Sequence, residues 1–80
     1  MAIVTSISRD RERSIRSPNP TKTTCSFLVG SFHGEKLVQL NTTGSQSREN
    51  PGITSQTLQF TRQSAEQLYR LLKSEFDFKE

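Results

Sequence analysis

The stretch FHGEKLVQLN at residues 32–41 is followed, after a polar segment, by ITSQTLQF at residues 53–60 and TRQSAEQLYRLL at residues 61–72. The first two segments largely alternate apolar and polar side chains, which is the period of a strand with one buried face. The third places apolar residues three and four positions apart, which is the period of a helix. Residues 32–72 therefore predict a strand, a loop, a strand and a helix in that order.

A strand is also predicted immediately before this stretch, in TTCSFLVGSF at residues 23–32, because the run is rich in β-branched and aromatic residues. The dipeptide His33–Gly34 then forms the turn into the strand at residues 35–41. Cys25 and Phe27 fall on one face of the earlier strand. We expect both side chains in the core, where Cys25 is not reactive and Phe27 is not a stacking group.

The alternation of the two later strands leaves two rows of side chains open to more than one interpretation. Lys36 falls in the same row as Val38 and Leu40, so either its aliphatic stem passes the edge of the core or that row is exposed. The strand at residues 53–60 has a polar, uncharged row, which consists of Ser55, Thr57 and Gln59. Such a row suits contact with bases, with another strand or with water.

Thr61 is the predicted N-cap of a helix that we expect to run from Arg62 to about Glu75. Ala65, Leu68, Leu72 and Phe76 form the apolar stripe that faces the sheet, and Tyr69 and Leu71 widen it. The predicted fold class is α+β, with a small antiparallel β-sheet of three to four strands followed by one C-terminal α-helix.

Two parts of the chain are separated by the segment Ser17-Pro18-Asn19-Pro20, whose prolines interrupt regular structure. Residues 1–22 are predicted to form a basic N-terminal arm with a short strand near residues 2–8. Residues 23–80 are predicted to form the strand–strand–loop–strand–helix domain. With 80 residues, the chain holds one domain at most.

The small apolar content predicts a homodimer. Only 30% of the 80 residues are apolar, and a domain this poor in core usually needs a disulfide, a metal or a second subunit. Cys25 is the only cysteine and His33 is the only histidine, so neither an intrachain disulfide nor the usual set of zinc ligands is available. We expect no metal and no cofactor.

The net charge of +3 lies entirely at the N-terminal end. Residues 1–23 contain five basic and two acidic side chains, whereas residues 24–80 contain six of each sign. The basic side chains of the first group are Arg9, Arg11, Arg13, Arg16 and Lys22. Such an arm binds phosphates by releasing their condensed counterions, or it is a solvated tail that keeps the protein in solution.

The N-terminal segment MAIVTSISRDRERS places its apolar residues before its charges, which is the reverse of a secretory signal. No run of eighteen apolar residues is present, so no membrane contact is expected. A single thiol suits a reducing compartment. These features predict a cytoplasmic protein.

The sequence contains no combination of residues typical of an enzyme. Catalysis by a nucleophile needs a base and an orienting group, and the only histidine, His33, lies in a turn. Nothing sets the separation of the carboxylates of Glu35 and Glu49. Gly44 and Gly52 are too far apart for a phosphate-binding glycine loop. We therefore expect a protein without enzymatic activity.

Binding of a nucleic-acid single strand needs cations along the backbone and aromatic faces for the bases. Phe32, at the end of its strand, is the candidate for base stacking. The predicted nucleic-acid-binding residues are Arg9, Arg11, Arg13, Arg16, Phe32, Lys36 and Arg48.

The order FHGEKLVQLN, polar loop, Pro-Gly and TLQF before a helix resembles the transcriptional coactivator family of positive cofactor four, a single-stranded-DNA-binding, Whirly-like domain. The resemblance covers residues 25–72, and it extends to short uncharacterised bacterial proteins of similar layout. By position, Phe32 matches the family's aromatic residue at the strand end, and Lys36 lies in the matching second strand. Three features differ from the family: Ile53-Thr54-Ser55 stands in place of its basic residues after Pro-Gly, Ala65 stands in place of its helical tryptophan, and two residues are inserted between Pro-Gly and the strand end.

The resemblance implies a homodimer that pairs its helices and binds single-stranded DNA in basic, aromatic-lined channels. We therefore expect a nucleic-acid-binding module that prefers single-stranded DNA and acts in transcription or DNA maintenance. The alternative is a protein–protein interaction or regulatory module that has the fold without the nucleic-acid surface. The neutral composition of residues 24–80 favours that alternative.

Overall fold

The computed structural model of the chain describes residues 1–43 and 54–79, except for the side chains of Thr54 and Ser55. The described residues form four strands and one helix, which are β1 (Ala2–Val4), β2 (Cys25–Phe32), β3 (Glu35–Thr43), β4 (Thr54–Phe60) and α1 (Arg62–Phe76). The α+β class and the order of the elements are confirmed. The largest difference in bounds concerns the first strand, which ends at Val4.

Strands β2 and β3 form an antiparallel hairpin in which Phe32 is directly opposite Glu35. The two residues between them, His33 and Gly34, have φ angles of 53° and 82°. Positive φ at both central residues is the requirement of the two-residue turn that matches the twist of a hairpin, and glycine adopts it without strain. This turn sets the register of the whole hairpin.

The sheet has the strand order β1-β4-β3-β2 and is mixed. Strand β4 runs antiparallel to β3, whereas β1 runs parallel to β4, with Ala2 opposite Leu58 and Val4 opposite Phe60. The expectation of a purely antiparallel sheet therefore holds for β2, β3 and β4 only. The parallel pairing is possible because the twenty-residue segment from Thr5 to Thr24 carries the chain from one edge of the sheet to the other.

The register assigns one apolar and one largely polar face to the sheet. Directly opposed residues share a face, so two apolar rows cross all four strands. The members of these rows are Val4, Phe60, Val38 and Val29 in one, and Ala2, Leu58, Leu40 and Phe27 in the other. We call this side the apolar face. The opposite side, which carries Gln39, Asn41, Thr57 and Gln59 on the central strands, is the polar face.

Helix α1 begins immediately after β4, and its predicted N-cap is confirmed. The Thr61 hydroxyl accepts the backbone N–H of Ser64 at 3.2 Å, and the Ser64 hydroxyl accepts the backbone N–H of Thr61 at 3.0 Å. At the other end Asp77 adopts a left-handed conformation, and its N–H donates to the carbonyl of Lys73. None of the described helices is long and apolar enough to span a membrane.

The buried core is very small. Among the described residues, Phe60 is the only large apolar side chain that is buried, at 8% exposure, and Ser64 is fully buried beside it. Phe27, on the same face as Phe60, is 69% exposed, and Cys25 is exposed as well. The expectation that Phe27 and Cys25 lie in the core is wrong, because β2 is an edge strand, and Phe76 at the end of the helix stripe is exposed as well, at 66%.

Candidate nucleic-acid interface

The basic arm is attached to the helix at two points. The backbone N–H of Ile7 donates to Oε1 of Gln67 at 2.7 Å, and Nη1 of Arg9 donates to Oε1 of Glu75 at 3.1 Å. Gln67 and Glu75 are about two helical turns apart. The arm therefore follows α1 towards its C-terminal end before it leaves the helix.

Two of the four arginines of the arm form ion pairs within the described part of the chain, and two do not. Arg9 contacts Glu75, and Arg13 contacts Asp10 at 3.0 Å. Arg11 and Arg16 are exposed and form no ion pair with a residue of the described ranges. Both existing pairs are solvent-exposed, and pairs of this kind contribute only about 0–1 kcal/mol. A phosphate can therefore replace either carboxylate at small cost.

A shallow depression lies between the arm and the end of the helix. Its lining residues are Arg9, Asp10, Arg13, Ser14, Ile15 and Glu75. Two guanidinium groups and two carboxylates balance each other there, so the depression itself does not concentrate positive charge. Arg11, Arg16 and Lys22 are the basic side chains of the arm that form no ion pair within the described residues, and they lie outside this lining.

Phe32 lies at the end of β2 and is 59% exposed. Its ring folds back over Gly30, two residues earlier on the same face, so that a Cβ atom at Gly30 would be 3.1 Å from the ring. Side chains two positions apart in a strand normally stand beside each other, and the missing side chain of Gly30 provides the space that the ring occupies. The aromatic ring is thereby held against the strand while remaining exposed.

The predicted site residues do not converge on one face of the sheet. Phe32 is opposite Glu35 and Ser31 is opposite Lys36, so the side chains of Phe32 and Lys36 lie on opposite faces. Lys36 is exposed, whereas Val38 and Leu40 in the same row are half-buried. The row is therefore partly covered, and Lys36 lies at its exposed end. Arg48 lies outside the described residues.

The polar face carries a chain of hydrogen bonds that was not among the predicted site residues. Nε2 of Gln59 donates to Oε1 of Gln39 at 2.8 Å, and Nε2 of Gln39 donates to Oδ1 of Asn41 at 2.9 Å. The hydroxyl of Thr57 donates to the same Asn41 oxygen at 3.2 Å. All four side chains are half-buried. In the sequence, the uncharged row with Thr57 and Gln59 indicated polar contacts. It did not show that β3 supplies the partners.

Phe32 lies on the same face as this polar chain. Leu28 is opposite Gln39 and therefore shares its face, and Phe32 is four residues further along the same strand. The polar face thus combines an exposed aromatic ring at its edge with amide groups at its centre. The remaining donor on Asn41 and the remaining acceptor on Gln59 are groups that can contact the edges of bases.

No group of three or more histidine, cysteine, aspartate or glutamate side chains within residues 1–43 and 54–79 could hold a metal ion. Comparisons with models of protein families, with curated proteins and with solved structures found no match to the chain. The resemblance to positive cofactor four therefore stays a prediction.

Proposed function

We propose that the protein is a nucleic-acid-binding module without enzymatic activity, and that single-stranded DNA is its preferred ligand. The observation that carries the proposal is the position of the charge. The full excess of +3 lies in residues 1–23, and the first part of this arm is held against α1 by Ile7 and Arg9. An anchored cationic segment binds a polyanion with less loss of conformational freedom than a free tail does.

The preference for single strands rests on Phe32. A stacked base contributes about 1–3 kcal/mol in single-strand complexes, and stacking requires an aromatic face that a ligand can reach. The ring of Phe32 is exposed, and Gly30 allows it to lie close to the strand. Paired bases in a duplex do not offer their faces to such a ring, whereas the bases of a single strand do.

The contacts divide into two kinds. Arg11 and Arg16 neutralise phosphates in the proposal, with Arg9 and Arg13 joining them after exchange of their carboxylate partners. Phe32 stacks on a base. Lys36 and Arg48 are further phosphate contacts in the proposal. The side chain of Lys36 lies on the opposite face of the hairpin from that of Phe32. Transcription or DNA maintenance in the cytoplasm is the setting that fits a single-strand binder of this type.

Fluorescence anisotropy of a labelled oligothymidylate of about 20 nucleotides tests the proposal, with the matching duplex as the comparison. The double variant Arg11→Ala with Arg16→Ala should bind about tenfold more weakly in dilute salt. The matched control is Arg62→Ala with Lys79→Ala, which removes the same charge at the first residue of α1 and three residues after its last. Absence of binding, or an equal loss in both double variants, contradicts the proposal.

Phe32→Ala separates stacking from charge. The substitution should weaken binding of the single strand by about 1–3 kcal/mol without changing its dependence on salt. Phe78→Ala is the control, because Phe78 is also exposed and lies after the end of the helix. If both variants bind like the unchanged protein, Phe32 does not contact a base.

A second candidate function is a protein–protein interaction module. The observation in its favour is the uncovered part of the apolar face, where Phe27 is 69% and Leu58 is 43% exposed. In that case the protein would show no affinity for oligonucleotides even in dilute salt, and the anisotropy experiment distinguishes the two functions.

A further inference from the structure

Strand β2 is an edge strand without the usual protection against pairing. The strand order places it at the end of the sheet, and the eight residues Cys25–Phe32 contain neither a charged residue nor a proline. Natural proteins usually protect long edge strands with lysine, proline, bulges or a covering segment. No described strand lies on the outer side of β2. This edge is therefore able to pair with another strand.

The hairpin register shows which backbone groups face outwards. Phe32 and Glu35 close a two-residue turn, and Thr43 donates its N–H to the carbonyl of Thr24 at 3.4 Å. Even-numbered residues of β2 therefore direct their backbone groups towards β3, because hydrogen-bonded positions alternate in an antiparallel pair. The residues whose N–H and C=O groups face outwards are Cys25, Phe27, Val29 and Ser31.

The exposed surface is larger than expected for a folded monomer. The chain exposes 7403 Å², whereas a compact monomer of its mass would expose about 4900 Å². Part of the difference belongs to the extended arm. A standard interface buries roughly 800 Å² of each partner. Phe27 and Val29, at 69% and 54% exposure, lie at the edge where such an interface would form.

We propose that β2 pairs antiparallel with β2 of a second copy of this chain, about a two-fold axis at Leu28. In this register Phe27 lies opposite Val29 of the partner subunit, and Cys25 lies opposite Ser31 of the partner subunit. All outward backbone groups of both strands are then hydrogen-bonded, and Leu28 meets Leu28 of the partner subunit at the axis. The two sheets join into one sheet of eight strands.

A second copy fits this edge for three reasons. A two-fold axis brings identical residues together, and β2 has no charge that would repel its own copy. The register places an aromatic residue against a β-branched one on the apolar face, which is a favourable cross-strand pair. Pairing also removes the long edge from both chains. Only β1, with three residues, then remains at each end, so the assembly stops at two chains.

The proposed interface differs from the helix-paired dimer that the resemblance implies, and cysteine cross-linking distinguishes them. In the Cys25→Ser background, Leu28→Cys places two thiols at the axis, where the Cα atoms of a non-hydrogen-bonded pair are about 4.5 Å apart. Mild oxidation should convert most of this variant into disulfide-linked dimer. Tyr69→Cys, on the exposed side of α1, is the control and should remain monomeric on a denaturing gel.

The natural thiol supplies an internal check. In the proposed register, Cys25 and its counterpart are six residues apart along the paired strands, or about 20 Å. The unchanged protein should therefore form no disulfide dimer under the same conditions. Preferential cross-linking of Tyr69→Cys, or of the natural Cys25, overturns the proposed register.

Sedimentation provides the second measurement. The unchanged protein should sediment as a dimer at micromolar concentration, and Val29→Lys should raise the dimer dissociation constant about thirtyfold or more. Circular dichroism establishes whether the Val29→Lys variant retains its sheet. If the variant is unfolded, the cross-linking of Leu28→Cys is the test of the proposed interface. An unchanged protein that is monomeric overturns the proposal. None of these experiments uses nucleic acid, so their outcome is independent of the proposed function.

Discussion

Thr61 is the residue at which the sheet ends and the helix begins. Its hydroxyl and that of Ser64 each accept a backbone N–H from the other residue, at 3.2 and 3.0 Å. Ser64 is fully buried, so water cannot replace these bonds on its side. A cap in such a position satisfies two N–H groups that would otherwise lack partners.

Thr61→Ala is therefore expected to lower the free energy of unfolding by about 1 kcal/mol. For a chain of this size the melting temperature should fall by about 4–8 °C. Thermal unfolding followed by circular dichroism measures the change. Thr61→Ser keeps the hydroxyl and should melt close to the unchanged protein. Equal melting temperatures for the alanine and serine variants would show that the cap does not stabilise the fold.

At the scale of single residues, the sequence predicts much of the hairpin but not the site. The His33–Gly34 turn and the alternation of residues 35–41 were predicted and are confirmed. A two-residue turn places Phe32 opposite Glu35. The same pattern therefore predicts that the side chains of Phe32 and Lys36 lie on opposite faces. The pairing of Arg9 with Glu75 could not be predicted from the sequence, because the two residues are 66 positions apart.

Phe60 is a buried apolar residue at the point where the sheet leads into helix α1. This side chain is the last residue of β4, and it is the only buried large apolar group among the described residues. Its neighbours in the sheet are Val38 on β3 and Val4 on β1. Strands β1, β3 and β4 therefore place Val4, Val38 and Phe60 in one row, and the helix N-cap Thr61 directly follows Phe60.

Phe60→Ala is expected to cost about 3–5 kcal/mol, because it removes a large buried side chain and leaves a cavity. A domain of this size has only about 4–12 kcal/mol of stability in total. The variant should lose most of its cooperative thermal transition. Phe78→Ala, at an exposed aromatic residue, should retain it. Similar transitions for both variants would show that the ring of Phe60 is not the centre of the core.

At the scale of elements, the helix and the three long strands could be predicted because each has a clear period and a clear boundary. A short strand was predicted near residues 2–8, but the bounds and the partner of β1 could not be, because three residues do not show a period. Its partner β4 lies more than fifty positions later, and nothing local specifies that the pairing is parallel. The exposure of Phe27 could not be predicted either, because the position of β2 at the sheet edge depends on the complete strand order.

At the scale of the whole molecule, charge and apolar surface are located in different places. The positive excess is in the arm, which contacts α1 through Ile7 and Arg9 and then leads into β2, whereas β2 itself carries no charge. Pairing through β2 therefore leaves both arms available to a ligand. Two arms in one assembly would increase the apparent affinity for a long strand, because the second contact becomes intramolecular.

The salt dependence of single-strand binding tests the central claim most directly, since it counts the phosphates that the arm neutralises. Two phosphate contacts, from Arg11 and Arg16, correspond to a slope of about −1.4 in a plot of log K against log salt concentration. Participation of Arg9, Arg13, Lys36 and Arg48 raises the magnitude to about 4.2 per chain. We expect a slope in this range, reduced by about 1.4 in the Arg11→Ala, Arg16→Ala variant. Binding that is absent in dilute salt, or a slope unchanged in that variant, would contradict the proposed function.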